Sequence, residues 1–165
     1  MRSVGEIKKE TVLKYIEQLK KEFAISSEGL VALLQEQSSS FIPVDLFATR
    51  NASGLQTLVT YLKKKYGYSF RKIGDILNRN ERTVWTAYHQ AKRRLKTEFD
   101  IPEEATEFIP ITRFRDRKFS VLEHIVSFLK EKEYANKDIA LLLNRTQTTV
   151  STVLGRASKK RGESK

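Results

Sequence analysis

Arg82, Trp85 and Thr86, with Glu81 and His89, fall at steps of three and four residues, so any helix that begins after Asn80 carries them on one side. Arginine brings a fork of donors, glutamate two acceptors, tryptophan a flat apolar surface, and threonine a hydroxyl and a methyl. A second set, Gln147, Thr148, Ser151 and Thr152, stands at the matching positions after Thr146. Basic side chains surround each set: Arg71, Lys72, Arg79, Lys92 and Arg93 around the first, and Lys137, Arg145, Arg156 and Lys159 around the second. This is chemistry of recognition, not of bond making. The chain has no cysteine, no glycine-rich phosphate loop, no paired histidines and no carboxylate cluster outside residues 98–107. No enzyme, metal or cofactor is therefore expected.

The two sets belong to a repeated pattern. Leu77-Asn78-Arg79-Asn80-Glu81-Arg82-Thr83-Val84 returns as Leu143-Asn144-Arg145-Thr146-Gln147-Thr148-Thr149-Val150. Upstream, Phe41-Ile42-Pro43, Phe47, Arg50, Ser53, Leu55, Val59, Leu62 and Lys63 return at an offset of 67 as Phe108-Ile109-Pro110, Phe114, Arg117, Ser120, Leu122, Val126, Leu129 and Lys130. A one-residue gap then makes the offset 66. So many identities in register indicate a duplicated module of roughly 55 residues.

Each copy opens on an extended lead-in, because proline biases the residue before it away from helix. Ser53 and Ser120 are expected to cap helices carrying Leu55, Leu58, Val59 and Leu62 in one copy and Leu122, Ile125, Val126 and Leu129 in the other; the first ends near Gly67. A second helix runs from about Ser69 to Leu77, and its counterpart from about Asn136 to Leu143. Asn78 and Asn144 suit a turn that needs an unusual backbone angle. Third helices start after the caps Asn80 and Thr146 and run to about Lys96 and Lys159. Their inward sides are Val84, Ala87, Tyr88, Ala91 and Leu95, and Val150, Val153, Leu154 and Ala157. Ile73 and Val84, like Ile139 and Val150, can meet in the angle between the last two helices.

The expected organisation is all-α. An N-terminal helical hairpin (1–39) comes first, then a module at 41–97, an exposed acidic linker at 98–107, a second module at 108–160 and a short tail at 161–165. In the hairpin, Val12, Ile16, Leu19 and Phe23 line a helix over 6–23, and Leu30, Leu33 and Leu34 a second one after Ser26-Ser27-Glu28. It is expected either to cover the first module's core or to pair two chains as a homodimer.

The net charge is +11, and the first 39 residues contribute none of it. The excess gathers in the two copies, near Lys92-Arg93-Arg94-Leu95-Lys96 and Lys159-Lys160-Arg161, which implies a polyanionic partner. No apolar run approaches the ~20 residues of a membrane span. With no signal-peptide core at the N-terminus, the expected location is cytoplasmic and nucleoid-associated. No membrane or small-molecule partner is expected.

Phe70-Arg71-Lys72-Ile73-Gly74-Asp75-Ile76-Leu77-Asn78-Arg79, followed by Thr83-Val84 and Ala91, resembles the three-helix helix-turn-helix of bacterial sigma factor region 4 and of response-regulator DNA-binding domains. The second copy matches that pattern better, with Ile139-Ala140 where the first has Ile73-Gly74. The resemblance covers about 25 residues of each copy. It implies that the third helices enter the major groove of duplex DNA. Glu81, Arg82, Trp85, Thr86 and His89, and Gln147, Thr148, Ser151 and Thr152, would then face base edges, while the nine basic residues named above face phosphates. Apolar spacing alone is equally compatible with a plain three-helix bundle. The expected function is sequence-specific DNA binding by a transcriptional regulator whose linker spans adjacent major grooves. Two alternatives stay open: an architectural or partitioning protein that coats or bridges DNA, and a basic module for protein interaction.

Overall fold

The computed structural model describes residues 9–29, 41–94 and 105–162, which are mostly helical with one small two-stranded sheet. The chain divides into two compact units, Met1–Ser39 and Ser40–Lys165. Among the described residues no helix is long and apolar enough to cross a membrane.

In the first unit, α1 spans Lys9–Phe23 and stops at Ala24, whose φ of 50° breaks the helix. Lys20 Nζ donates to Ser27 Oγ at 2.7 Å, and Ser26 Oγ accepts from the Gly29 amide at 3.0 Å, as a capping serine does. Leu13 and Phe23 are exposed on α1. The second expected helix, through Leu30, Leu33 and Leu34, lies outside the described residues.

The second unit repeats one order of elements. Strand β1 (Phe41–Pro43) leads into a 3₁₀ turn, η1 (Val44–Ala48), then α2 (Gly54–Tyr66), α3 (Phe70–Leu77) and α4 (Glu81–Arg94). Strand β2 (Phe108–Pro110) leads into η2 (Ile111–Arg115), α5 (Val121–Glu131), α6 (Asn136–Leu142) and α7 (Gln147–Arg161). The local signals act where expected. Ser53 with Gln56, and Ser120 with Glu123, form reciprocal capping boxes on α2 and α5. Gly67 closes α2 with φ 66°, and Asn78 and Asn144 take φ 52° and 50° in the turns. Asn80 Oδ1 accepts from the Arg82 amide, and Thr146 Oγ1 from the Thr149 amide, at the starts of α4 and α7. Arg161, expected in a tail, is the last residue of α7, and Gly162 ends that helix with φ 85°. Residues 163–165 lie outside the described residues.

The copies do not form separate modules on a linker. They share one core. The two lead-ins pair with each other as antiparallel strands, with Phe41 opposite Pro110, Ile42 opposite Ile109 and Pro43 opposite Phe108. A three-residue ribbon is marginal by itself. Here Ile42 and Ile109 are both fully buried, each contributing about 1.5–3 kcal/mol by leaving water. The expected linker also ends earlier than its acidity suggests. Thr106 donates through its amide and its hydroxyl to the Asp45 carboxylate, at 2.9 and 3.0 Å. The Glu107 carbonyl accepts from the Val44 amide at 2.9 Å, and its carboxylate accepts from Lys132 and Tyr134. Residues 95–104 lie outside the described ones.

The pairing register is that of a twofold axis. Residues equivalent at the offset of 67 meet each other at three places: Ile42 opposite Ile109, the Phe47 and Phe114 rings with centroids 6.2 Å apart, and Gly54 against Val121. A residue touches its own equivalent only beside a twofold axis. Away from the axis the contacts are reciprocal. The second helix of each half packs on the 3₁₀ turn of the other, α3 on η2 and α6 on η1.

Gly54 is the tightest of these approaches. A Cβ added there would sit 2.9 Å from both Cβ and Cγ1 of Val121, a branched side chain with little freedom to move. Gly54→Val should therefore destabilise the unit by about 1–3 kcal/mol through overpacking. The exchange Gly54→Val/Val121→Gly should recover most of that loss, because the two positions are equivalent across the axis. Denaturant melts of the four variants check this; a double variant no more stable than Gly54→Val would contradict the axial contact.

Candidate nucleic-acid interface

Helices α4 and α7 each bury one side and expose the other. Val84, Ala87 and Ala91, and Val150, Val153 and Ala157, are buried, while Tyr88 and Leu154 are half-buried. Ile73 and Ile139, on the preceding helices, are fully buried in the same core. On the other side, Glu81, Arg82 and Trp85 are exposed, and so are Gln147, Thr148, Ser151 and Thr152; Thr86 and His89 are half-buried. Trp85 is 49 % exposed, as expected of the outward side.

Local contacts shape what these faces present. The Trp85 and His89 rings lie 4.1 Å apart, and His89 also packs near Phe70 and Tyr88. Its ring therefore braces the tryptophan more than it faces outward. Thr86 Oγ1 donates to the Arg82 carbonyl at 2.8 Å, and Thr152 Oγ1 to the Thr148 carbonyl at 2.9 Å. Each threonine commits its proton to its own helix and keeps its methyl and an acceptor oxygen for a partner. Among the described residues, Arg82 has no ion pair with a carboxylate.

The basic residues divide into free and engaged. Arg71, Lys92, Arg93, Lys137, Arg156 and Lys159 are exposed. Lys72 is exposed and sits over the Tyr68 ring at 3.9 Å. In the cluster at the end of α7, Lys160 pairs with the buried Glu123 at 2.7 Å and Arg161 with Glu131 at 3.6 Å. Burial pushes the Glu123 carboxyl up, but Lys160 and the Ser120 amide outweigh it and hold it below the usual glutamate range.

Arg145, expected at a phosphate, is engaged within the protein. Its guanidinium donates to the Leu143 and Asn144 carbonyls at 3.2 and 3.0 Å, and across the seam to the Thr49 carbonyl at 2.7 Å. Arg50 returns the link, donating to the Asn144 carbonyl at 2.9 Å. Arg79 holds the equivalent place in the first copy, half-buried beside Arg117, but its Nε has no partner among the described residues. The carbonyl equivalent to that of Thr49 is that of Asp116, and His124 Nε2 occupies it at 2.9 Å. Burial first, and then Arg117 and Arg50 respectively, lower the pKa of Arg79 and of Arg145 from its ordinary value.

Arg50 and Arg117 are the residues that sequence reasoning missed. Each is exposed and comes from the opposite copy, so each turn before an exposed helix carries an arginine pair, Arg79 with Arg117 and Arg145 with Arg50. The only signal was that both belong to the repeated pattern. Among the described residues no group of three or more histidines and carboxylates is placed to hold a metal ion.

Replacing Arg145 with methionine should lower unfolding stability by about 1–3 kcal/mol, since it removes charged hydrogen bonds to three carbonyls, two of them in part-buried surroundings. The salt dependence of any nucleic-acid binding should stay as it was, whereas Arg156→Met should reduce that slope and leave the melt unchanged. The opposite assignment of the two effects would return Arg145 to the phosphate contacts.

In comparisons with protein-family models, with curated proteins and with solved structures, nothing matches this chain, so the functional reading rests on its own residues.

Proposed function

We propose that the protein binds duplex DNA sequence-specifically, through two helix-turn-helix elements, α3–α4 and α6–α7, and serves as a transcriptional regulator. The observation that carries this is the matched pair of exposed faces on α4 and α7. Each begins at a capped turn, presents polar side chains of base-reading type over its first two turns and has exposed basic residues around it. A helix with one face held in a core and the other free is what a major groove accommodates. Arg50 and Arg117, exposed beside the two turns, add basic charge to the same region. Residues of protein-binding type do not dominate either face; Trp85 is its one large apolar side chain on α4.

On this reading, Arg82 contacts a base by its bidentate fork, and guanine is the base that matches it. Arg71, Lys72, Lys92, Arg93, Lys137, Arg156 and Lys159 contact phosphates. Arg82→Ala should cost roughly 1–3 kcal/mol on the preferred sequence and relax the preference at one position only. With about six phosphate contacts, raising salt from 50 to 200 mM should weaken binding by around a thousandfold. Titration of a selected duplex against random competitor DNA checks both. Equal loss on all sequences would move Arg82 to the phosphates, and a flat salt profile would count against DNA as the partner. Equal affinity for selected and random duplexes would favour a coating or bridging role instead.

A further inference from the structure

We infer that the DNA element is an imperfect inverted repeat, two related but unequal half-sites on opposite strands, read by one chain. This rests on the duplex-DNA reading above. It goes beyond that reading because two helix-turn-helix elements on a flexible linker would serve direct repeats equally well.

The geometry removes that freedom. Ile42 with Ile109, Phe47 with Phe114 and Gly54 with Val121 place equivalent residues in mutual contact, and α3 on η2 mirrors α6 on η1. The halves are thus related by rotation about an axis between them, not by translation along the chain. Helices α4 and α7 inherit that relation. Duplex DNA has twofold axes perpendicular to its length, and a protein twofold laid on one of them meets the two strands alike. A direct repeat would need the two helices related by a step along the duplex, which this body cannot supply without breaking the sheet and the Arg145–Thr49 and Arg50–Asn144 links.

The reading residues make the repeat imperfect in a specified way. Thr86 and Thr152 occupy equivalent places and make the same bond to their own helices, so both copies carry the same methyl-bearing side chain at that place. The half-sites should share one position, with a thymine whose methyl meets those groups. At the neighbouring place Arg82 stands opposite Thr148, and at the next Trp85 opposite Ser151. The half-sites should differ there, with guanine specified only on the Arg82 side. A shared core also fixes the separation between half-sites, so spacing should be strict.

The test is selection of bound sequences from a random duplex pool by the full chain. It is followed by titration of synthetic duplexes carrying the recovered half-sites in inverted order, in direct order at the same spacing, and singly. The inverted duplex should bind at least about a hundredfold tighter than the single half-site, the low end of the gain from joined binding. The direct repeat should match the single half-site, and Arg82→Ala should relax only one arm of the inverted element. A direct repeat bound as tightly as the inverted one, or a selected motif with a single arm, would overturn the inference while leaving DNA binding in place. Failure to bind any duplex at 50 mM salt would overturn the DNA reading itself, and the inference with it.

Discussion

The structure of residues 40–165 depends on one antiparallel contact between two identical tripeptides. Ile42 and Ile109 face each other where the strands cross the local axis, and both are completely buried. Each Phe-Ile-Pro can extend but cannot form a sheet within its own copy. Its backbone is paired by the other copy, and its isoleucine is buried in the core that the two copies share. From that contact follow the tilted Phe47–Phe114 pair, the close approach of α2 to α5 at Gly54, and the packing of each second helix on the other half's 3₁₀ turn. Each copy is therefore completed by its partner copy in the same chain, as the subunits of a symmetric dimer complete each other.

The departures from symmetry are as informative as the symmetry. Arg145 reaches the Thr49 carbonyl, while its equivalent Arg79 loses the matching carbonyl to His124. The position equivalent to His124 is Thr57, whose buried hydroxyl lacks a partner among the described residues. One exchange of side chains thus leaves the first seam linked by Arg145 and Arg50, while at the other Asn78 donates to the Arg115 carbonyl and Arg115 to the Asp75 and Ile76 carbonyls. The exposed faces diverge further, with arginine and tryptophan on α4 against threonine and serine on α7. A symmetric body carrying unequal faces is a sensible solution for a partner that is itself symmetric in backbone and unequal in sequence, which describes duplex DNA.

Much of the local structure was legible in the sequence. Ser53, Ser120, Asn80 and Thr146 act as caps because their side chains offer an oxygen where a helix begins, a requirement met within a few residues. Asn78 and Asn144 take the left-handed angle for equally local reasons. The apolar steps along α4 and α7 placed Val84, Ala87, Ala91, Val150, Val153 and Ala157 in the core and Trp85 outside it, whereas Thr86 and His89, expected outward, and Tyr88 and Leu154, expected inward, are half-buried. What the sequence hid is long-range. Nothing in Phe41-Ile42-Pro43 specifies that its pairing partner lies at Phe108-Ile109-Pro110 rather than in a third segment, and an acidic stretch after α4 reads as a spacer whether the halves sit together or apart. For the same reason Arg145 looked free, because the carbonyl it binds, that of Thr49, lies far away in sequence. The arginine pairs that combine residues of both copies were hidden by the same distance.

The central claim is that a single chain holds two reading helices at a fixed, twofold-related separation against one duplex. Hydroxyl-radical footprinting of the full chain on a selected duplex tests it most directly. The account predicts one protected region of about two helical turns, with the protection on the two strands related by a dyad at its centre. Protection confined to one turn, or a pattern that repeats in the same direction along one strand, would contradict it.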